Sequence, residues 1–418
     1  WVSDMKNKVY RLDELCDIKS GKRIPKEMDF VTFETEHPYI RARDIKEGKI
    51  NTDDLIYLED DVFQKIKRYI INSGDIAITI VGASVGDTGY ASKNVDGYNL
   101  TENAVRLTNY KNNVDSKFLH YVLAQKQYHD YMQLIAGAAA QPKLGIYKVK
   151  RIKVELPDLK KQKRIADILS TYDNLIENNN KRIKLLEQMA ENLYKEWFVR
   201  FRFPGYETVE FEGKSPKCWN QLRLDQFGIQ LESGARPKGC INSSIDDGVP
   251  SLGAESVKGL AEFDYSDVKL IPEEFYRKLK RGKNRGNHIL IYKDGAYIGK
   301  VTLFKYGFPF ERFAINEHVF FMNSIRAEYQ NYLYFTLKQT SYFTLMQNLN
   351  RNAAQPGLSQ LDINRIKTIE PDQVTVISFN DIIEPILKKV FQLAKKNHLL
   401  IKQRDMLLPR LMSGKLEV

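Results

Sequence analysis

Between residues 161 and 201 the apolar positions form a narrow stripe. Ile165, Leu169, Tyr172, Ile176, Asn179, Ile183, Leu186, Ala190, Leu193 and Trp197 are separated alternately by four and three residues, with mostly charged and amide side chains between them. That spacing predicts a heptad seam on a long coiled-coil helix. It recurs near the C-terminal end through Phe379, Ile383, Ile386, Val390, Leu393, Asn397, Leu400, Arg404, Leu407 and Leu411. A 40-residue helix extends about 60 Å, more than a globular core needs. Neither seam can stay in water, and the simplest cover for each is the other, in an antiparallel pair. Asn179 sits inside Asn178-Asn179-Asn180 at a seam position, where a polar residue fixes register at some cost in stability. Because the heptad keeps phase on both sides, one continuous helix is expected there. Pro385 is expected to kink the second helix or mark its real start, and Pro204-Gly205 to end the first.

The remaining segments follow a different period. Residues 74–92 alternate Ile76, Ile78 and Ile80 and then turn at Gly82 and Gly86, as a hairpin would. Residues 287–305 repeat the pattern through Ile289, Ile291 and Tyr297. Helical stretches at 116–135 and 327–349 lie among short strands. The expected fold class is α+β: two similar domains separated by two long antiparallel coiled-coil helices.

The two halves are also related residue by residue. The phrase GAAAQPKLG at 137–145 returns as RNAAQPGLS at 351–359. At the same offset of 214, Leu144 matches Leu358, Arg151-Ile152-Lys153 matches Arg365-Ile366-Lys367, and Pro157 matches Pro371. Ser20-Gly21 matches Ser233-Gly234, Gly82 and Gly86 match Gly295 and Gly299, and Glu102 matches Glu317, with slips of one residue that loop insertions leave behind. The period is too long for a solenoid, so the chain is an internal duplication of about 210 residues per copy. The expected boundaries are 1–158 for a first domain, 159–203 for a central spacer helix, 204–372 for a second domain and 373–418 for a C-terminal spacer helix.

Composition narrows the chemistry. Of 418 residues 43% are hydrophobic, enough for two cores, and 64 Lys and Arg against 53 Asp and Glu leave a net charge of +11. That balance puts a polyanion high among the expected partners. No apolar run approaches the roughly 18–20 residues that cross a bilayer, so no membrane partner is expected. Cys16, Cys218 and Cys240 form no CxxC pair and the six histidines have no ligand spacing, which predicts neither disulfides nor a metal site and suits a reducing cytoplasm. There is no phosphate loop, nucleophile elbow or HExxH, nor the Asn/Asp-Pro-Pro-aromatic motif of amino-methyltransferases. No catalytic site is expected.

Two similar globules each followed by a long helix, the paired AAQPxL phrases, LLEQMAENLYKEWFVRFRFPG at 185–205 and LLPRLMSGKLEV at 407–418 resemble the DNA specificity subunit of Type I restriction-modification systems. The resemblance covers essentially the whole chain. It implies a non-catalytic subunit whose two target recognition domains each read one half of a bipartite, asymmetric site on double-stranded DNA. Two modification subunits, which bind S-adenosylmethionine and methylate adenine, would dock on the helices, and two restriction subunits using ATP with Mg can join them. No cofactor is then expected in this chain. Half-sites read from one face lie about 34–36 Å apart, and the coiled coil would act as the ruler.

Scaffold residues should match between halves, whereas base readers should differ. The candidate DNA contacts are Lys22, Arg23, Arg41, Arg43, Gln141 and Lys143 in the first copy and Arg236, Lys238, Glu255, Arg351 and Gln355 in the second. Arginine and lysine can bond guanine O6 and N7, and a carboxylate can accept from cytosine N4. Gln141 and Gln355, being matched, suit the sugar-phosphate chain better than a base edge. Arg68 and Lys67, with Lys280 and Arg281, are expected to neutralise phosphates. A self-sufficient DNA-binding enzyme and a coiled-coil DNA-binding regulator are the competing readings.

Overall fold

The computed structural model describes residues 7–138, 140–213, 215–237, 247–349 and 357–417. They fall into two compact units, residues 1–174 with 402–418, and residues 175–401.

In the first unit the central sheet has strand order 17–20, 104–108, 76–79, 88–90, 48–50, 45–46. Ile76, Ala77, Ile78 and Thr79 are all buried, so this strand is covered on both faces. A three-stranded sheet sets 38–40 parallel to 99–100 and antiparallel to 56–57, and Lys8–Arg11 pairs antiparallel with Lys153–Leu156. The 116–135 region forms two helices, Ser116–Leu123 and Lys126–Ala136.

The second unit repeats this plan. Its sheet order is 229–233, 319–324, 288–292, 301–304; strand 249–252 lies parallel to 314–315 and antiparallel to 270–271; Asn220–Arg223 pairs with Lys367–Glu370. The duplication read from the sequence is therefore a duplication of topology. In the turn after 288–292 it is Ile298 that is buried, at 1%, while Tyr297 is exposed. The strand stops at Tyr292, so the alternation expected to reach Tyr297 does not extend that far.

The first long helix, Leu159–Tyr194, continues as a π-helical turn over Lys195–Val199. The second runs unbroken over Gln373–Met412, through Pro385. Proline here neither starts the helix nor ends it. Pro385 and Asp381, whose carbonyl loses its donor, are both exposed, so water can satisfy the freed group.

Each unit shows the antiparallel pairing in its own core. In the first, Ile165 and Leu169 share a hydrophobic core with Leu411, Leu407 packs against it, and Arg404 Nη1 bonds Asp173 Oδ1 at 2.7 Å. In the second, Ala190, Tyr194, Trp197 and Phe198 join Phe379, Ile383, Val390 and Phe391, with Ile183, Leu186 and Leu193 packed against them. The second helix buries Leu387 and Phe391 as well as the expected Phe379, Ile383 and Val390, because it faces both a helix and a globule and needs a wider stripe than a two-stranded seam. Ile176 and Leu400 are also buried.

Asn179 is buried within the continuous helix. It donates from Nδ2 to Asn397 Oδ1 at 2.8 Å, and Asn397 Nδ2 donates to Asn180 Oδ1 at 2.7 Å. An Asn179→Ala variant strands the Asn397 carbonyl, at an expected cost of about 1–3 kcal/mol. Replacing Asn179 and Asn397 together by leucine removes both polar groups and is expected to be close to neutral in thermal unfolding.

Candidate nucleic-acid interface

In the first unit the turn that follows strand 76–79 meets the repeated phrase and the loop carrying Glu102, and that loop in turn meets the Ser-Gly corner. Gly82 and Gly86 take φ of +97° and +95° in that turn, a region open to glycine at little cost. The repeated phrase folds back along it: Gly82 N–H donates to Pro142 O at 3.0 Å and Leu144 N–H to Ile80 O at 2.8 Å. Leu144 is fully buried there. In the second unit Leu358 N–H donates to Lys293 O at 3.0 Å, and Leu358 is 2% exposed. The matched leucine thus closes the same joint twice.

The second segment is the loop carrying Glu102. Thr101 N–H donates to Ile40 O at 3.0 Å, and Ile80 N–H to Asn103 O at 2.8 Å. Around Glu317 the equivalent bonds run from Asn316 N–H to Leu252 O at 2.9 Å and from Lys293 N–H to His318 O at 3.0 Å.

The third segment is the Ser-Gly corner. Gly21 N–H donates to Ala104 O at 3.1 Å and Lys22 N–H to Leu100 O at 2.9 Å. A Cβ on Gly21 would lie 2.0 Å from Thr101 O, and one on Gly234 1.7 Å from Ile315 O. Glycine is required here because two backbones touch.

On this frame the first unit carries Lys22 and Arg23 on the Ser-Gly corner and Lys143 on the repeated phrase, all exposed. Tyr39 Oη donates to Lys22 O at 3.0 Å; burial pushes this phenol up to about 12, so it stays a neutral donor. Arg23 Nε lies 3.9 Å from Glu102 Oε1. Gln141, two residues before Lys143, is exposed as well. Arg41 is held differently. It makes two 2.9 Å bonds to Asp44 and another to the Asp54 carbonyl, and its hydrogen bonds to Asp44 raise its pKa further. Arg43 is more available, 64% exposed and 2.8 Å from Asp54.

In the second unit Arg236 Nε lies 2.9 Å from Glu317 Oε1. Glu255 stands on the 3-10 turn Ala254–Ser256, 3.7 Å from Lys269. Next to this corner an open cleft is lined by Ser233, Arg281, Lys293, Phe320, Ser359 and Gln360, with the Lys293 ammonium 5.2 Å from the Phe320 ring centroid. Lys238, Arg351 and Gln355 lie outside the described residues. Lys293, Tyr39 and the two glutamates were not singled out as contacts by the sequence. Their role depends on neighbours far along the chain, although the matched spacing of Glu102 and Glu317 was a usable signal.

Among the described residues no group of three or more His, Cys, Asp or Glu could hold a metal ion, and no helix is long and apolar enough to cross a membrane.

Comparison with known proteins follows the same lines. Residues 5–188 match the model of the Type I restriction modification DNA specificity domain. The chain is 28% identical over 321 residues to the MjaIX type I restriction enzyme specificity subunit of Methanocaldococcus jannaschii, covering 74% of this chain and 71% of that protein. It is 23% identical over 407 residues to the HindI specificity subunit of Haemophilus influenzae, covering 83% and 87%. Its fold is similar to the crystal structure of the type I restriction-modification S subunit from M. genitalium, with a TM-score of 0.60, 17% identity and coverage of 98% and 96%. Residues 5–188 thus carry the pattern of the Type I restriction modification DNA specificity domain, and the chain as a whole is similar to specificity subunits of Type I restriction enzymes.

Proposed function

We propose that this chain is the non-catalytic subunit that selects the DNA sequence for a Type I restriction-modification complex, each unit reading one half of a bipartite, asymmetric site on double-stranded DNA. One observation carries this reading. The two corners have the same backbone frame and a matched arginine, Arg23 and Arg236, but different side chains around it: Lys22 against Ala235, Arg41 against Gly253, Lys143 against Gly357. A common frame holds the reader against the duplex, and divergent side chains on it read different words. Lys22, Arg23, Arg43, Gln141 and Lys143 would serve the first word, and Arg236, Lys238, Glu255, Arg351 and Gln355 the second. Arg41, already bonded on two sides, suits a supporting role for the Arg43 turn. Arg281 and Lys293 would receive phosphates.

The partners in this reading are two modification subunits carrying S-adenosylmethionine, with two restriction subunits using ATP and Mg where cleavage occurs, all in the cytoplasm. The test is selection of bound duplexes from a random library by the chain in complex with its modification subunits. Two short defined words separated by a fixed undefined gap are expected. One continuous word, or no preference, would overturn the proposal.

A further inference from the structure

An Arg–Glu pair recurs at matched positions in both halves, close in the second and looser in the first. Arg23 Nε faces Glu102 Oε1 at 3.9 Å, and Arg236 Nε faces Glu317 Oε1 at 2.9 Å. Each glutamate stands on a loop fixed by the two equivalent backbone bonds described above. Each arginine follows a Ser-Gly corner locked against that loop by close backbone contact. Glu102 is further held by the Thr101 hydroxyl at 3.2 Å, and the Tyr39 hydroxyl, which donates to Lys22 O, lies 3.5 Å from it. His318 Nε2 lies 3.6 Å from Glu317 Oε1, and Glu317 Oε2 is buried without a protein partner among the described residues.

A carboxylate on a surface that meets DNA repels phosphates, so its presence in both copies needs a compensating role. Holding an arginine by Nε supplies one. The guanidinium is a rigid fork; with Nε turned to the carboxylate, at 2.9 Å in the second half and at the longer ion-pair distance of 3.9 Å in the first, both terminal nitrogens are left for a bidentate contact, the geometry that reads guanine O6 and N7.

We infer that Glu102 and Glu317 are positioning residues for specificity, each aiming the adjacent arginine, Arg23 or Arg236, at a guanine edge in its own half-site. The inference rests on the DNA-reading role proposed above. It assigns a purpose to a matched pair of acids that would otherwise only weaken binding.

The experiment uses the full chain in complex with its modification subunits, carrying Glu102→Gln or Glu317→Gln, with binding measured on the selected duplex and on single-base variants of each word. Each variant is expected to lose about tenfold in discrimination, equivalent to about 1.4 kcal/mol, at one guanine of its own word only. Affinity for unrelated DNA should rise, because a negative charge is gone. Glu102→Asp and Glu317→Asp should restore part of the discrimination. Tighter binding to all DNA with discrimination intact would overturn the inference and leave the acids as mere repellents. Equal loss at both words, or a lowered melting temperature that accounts for the loss, would overturn it in favour of a structural role. If the wild-type complex itself shows no two-word preference, the DNA-reading role fails instead.

Discussion

Replacing Phe379 by alanine is expected to destabilise the second unit by about 3–5 kcal/mol, the range for emptying a fully buried aromatic site. Phe379 is 0% exposed, and its ring centroid lies 5.0 Å from Phe198, 5.9 Å from Trp197, 6.2 Å from Phe335 and 6.4 Å from Tyr194. Tyr194, Trp197 and Phe198 end the first long helix, Phe379 stands near the start of the second, and Phe335 belongs to the globule. One side chain therefore joins three elements, and rings of this size cannot close the void by small shifts. The measurement is denaturant unfolding with separate probes for each unit, since two units need not unfold together. Val374→Ala, one turn earlier at a 74% exposed position, should change stability by no more than about 0.5 kcal/mol.

Gly234→Ala is expected to abolish reading of the second word while the first survives, and Gly21→Ala the reverse. The cause is space rather than backbone conformation. The added methyl would meet Ile315 O at 1.7 Å in one half and Thr101 O at 2.0 Å in the other. These neighbours are main-chain atoms within the frame, so the corner itself must move. Overpacking of this severity stands at the upper end of its usual cost, about 3 kcal/mol. Transferred to binding, that is roughly a hundredfold loss at one half-site, measured as affinity for duplexes bearing only the first or only the second word. Equal weakening on both duplexes would contradict the assignment of one word to each unit.

The features legible in the sequence are those with a period or an internal copy. Glycines matched at 82 and 295, the leucine at 144 and 358 and the heptad positions each recur at a spacing that local geometry explains. Asn179 could be placed in the seam because the heptad held phase around it, and its bond to Asn397 accords with that placement. Other features depend on what packs against a residue. Leu387 and Phe391 are buried by the globule, which helix periodicity alone does not reveal. Pro385 is tolerated because its face of the helix is solvated, and a proline carries no sign of which face it occupies. Arg41 reads as a free cation in YIRARDI until the turn brings Asp44 and Asp54 onto it. The Arg–Glu contacts join residues 79 and 81 positions apart, beyond any local pattern.

The central claim is that this chain supplies sequence choice to a methyltransferase that lacks it. It is tested most directly by a genome-wide map of adenine methylation in cells carrying the cognate modification subunit, with and without the chain. The account predicts a bipartite, asymmetric motif with a fixed degenerate gap, present only when the chain is present. An unchanged map, with the modification subunit shown to be active, would contradict it.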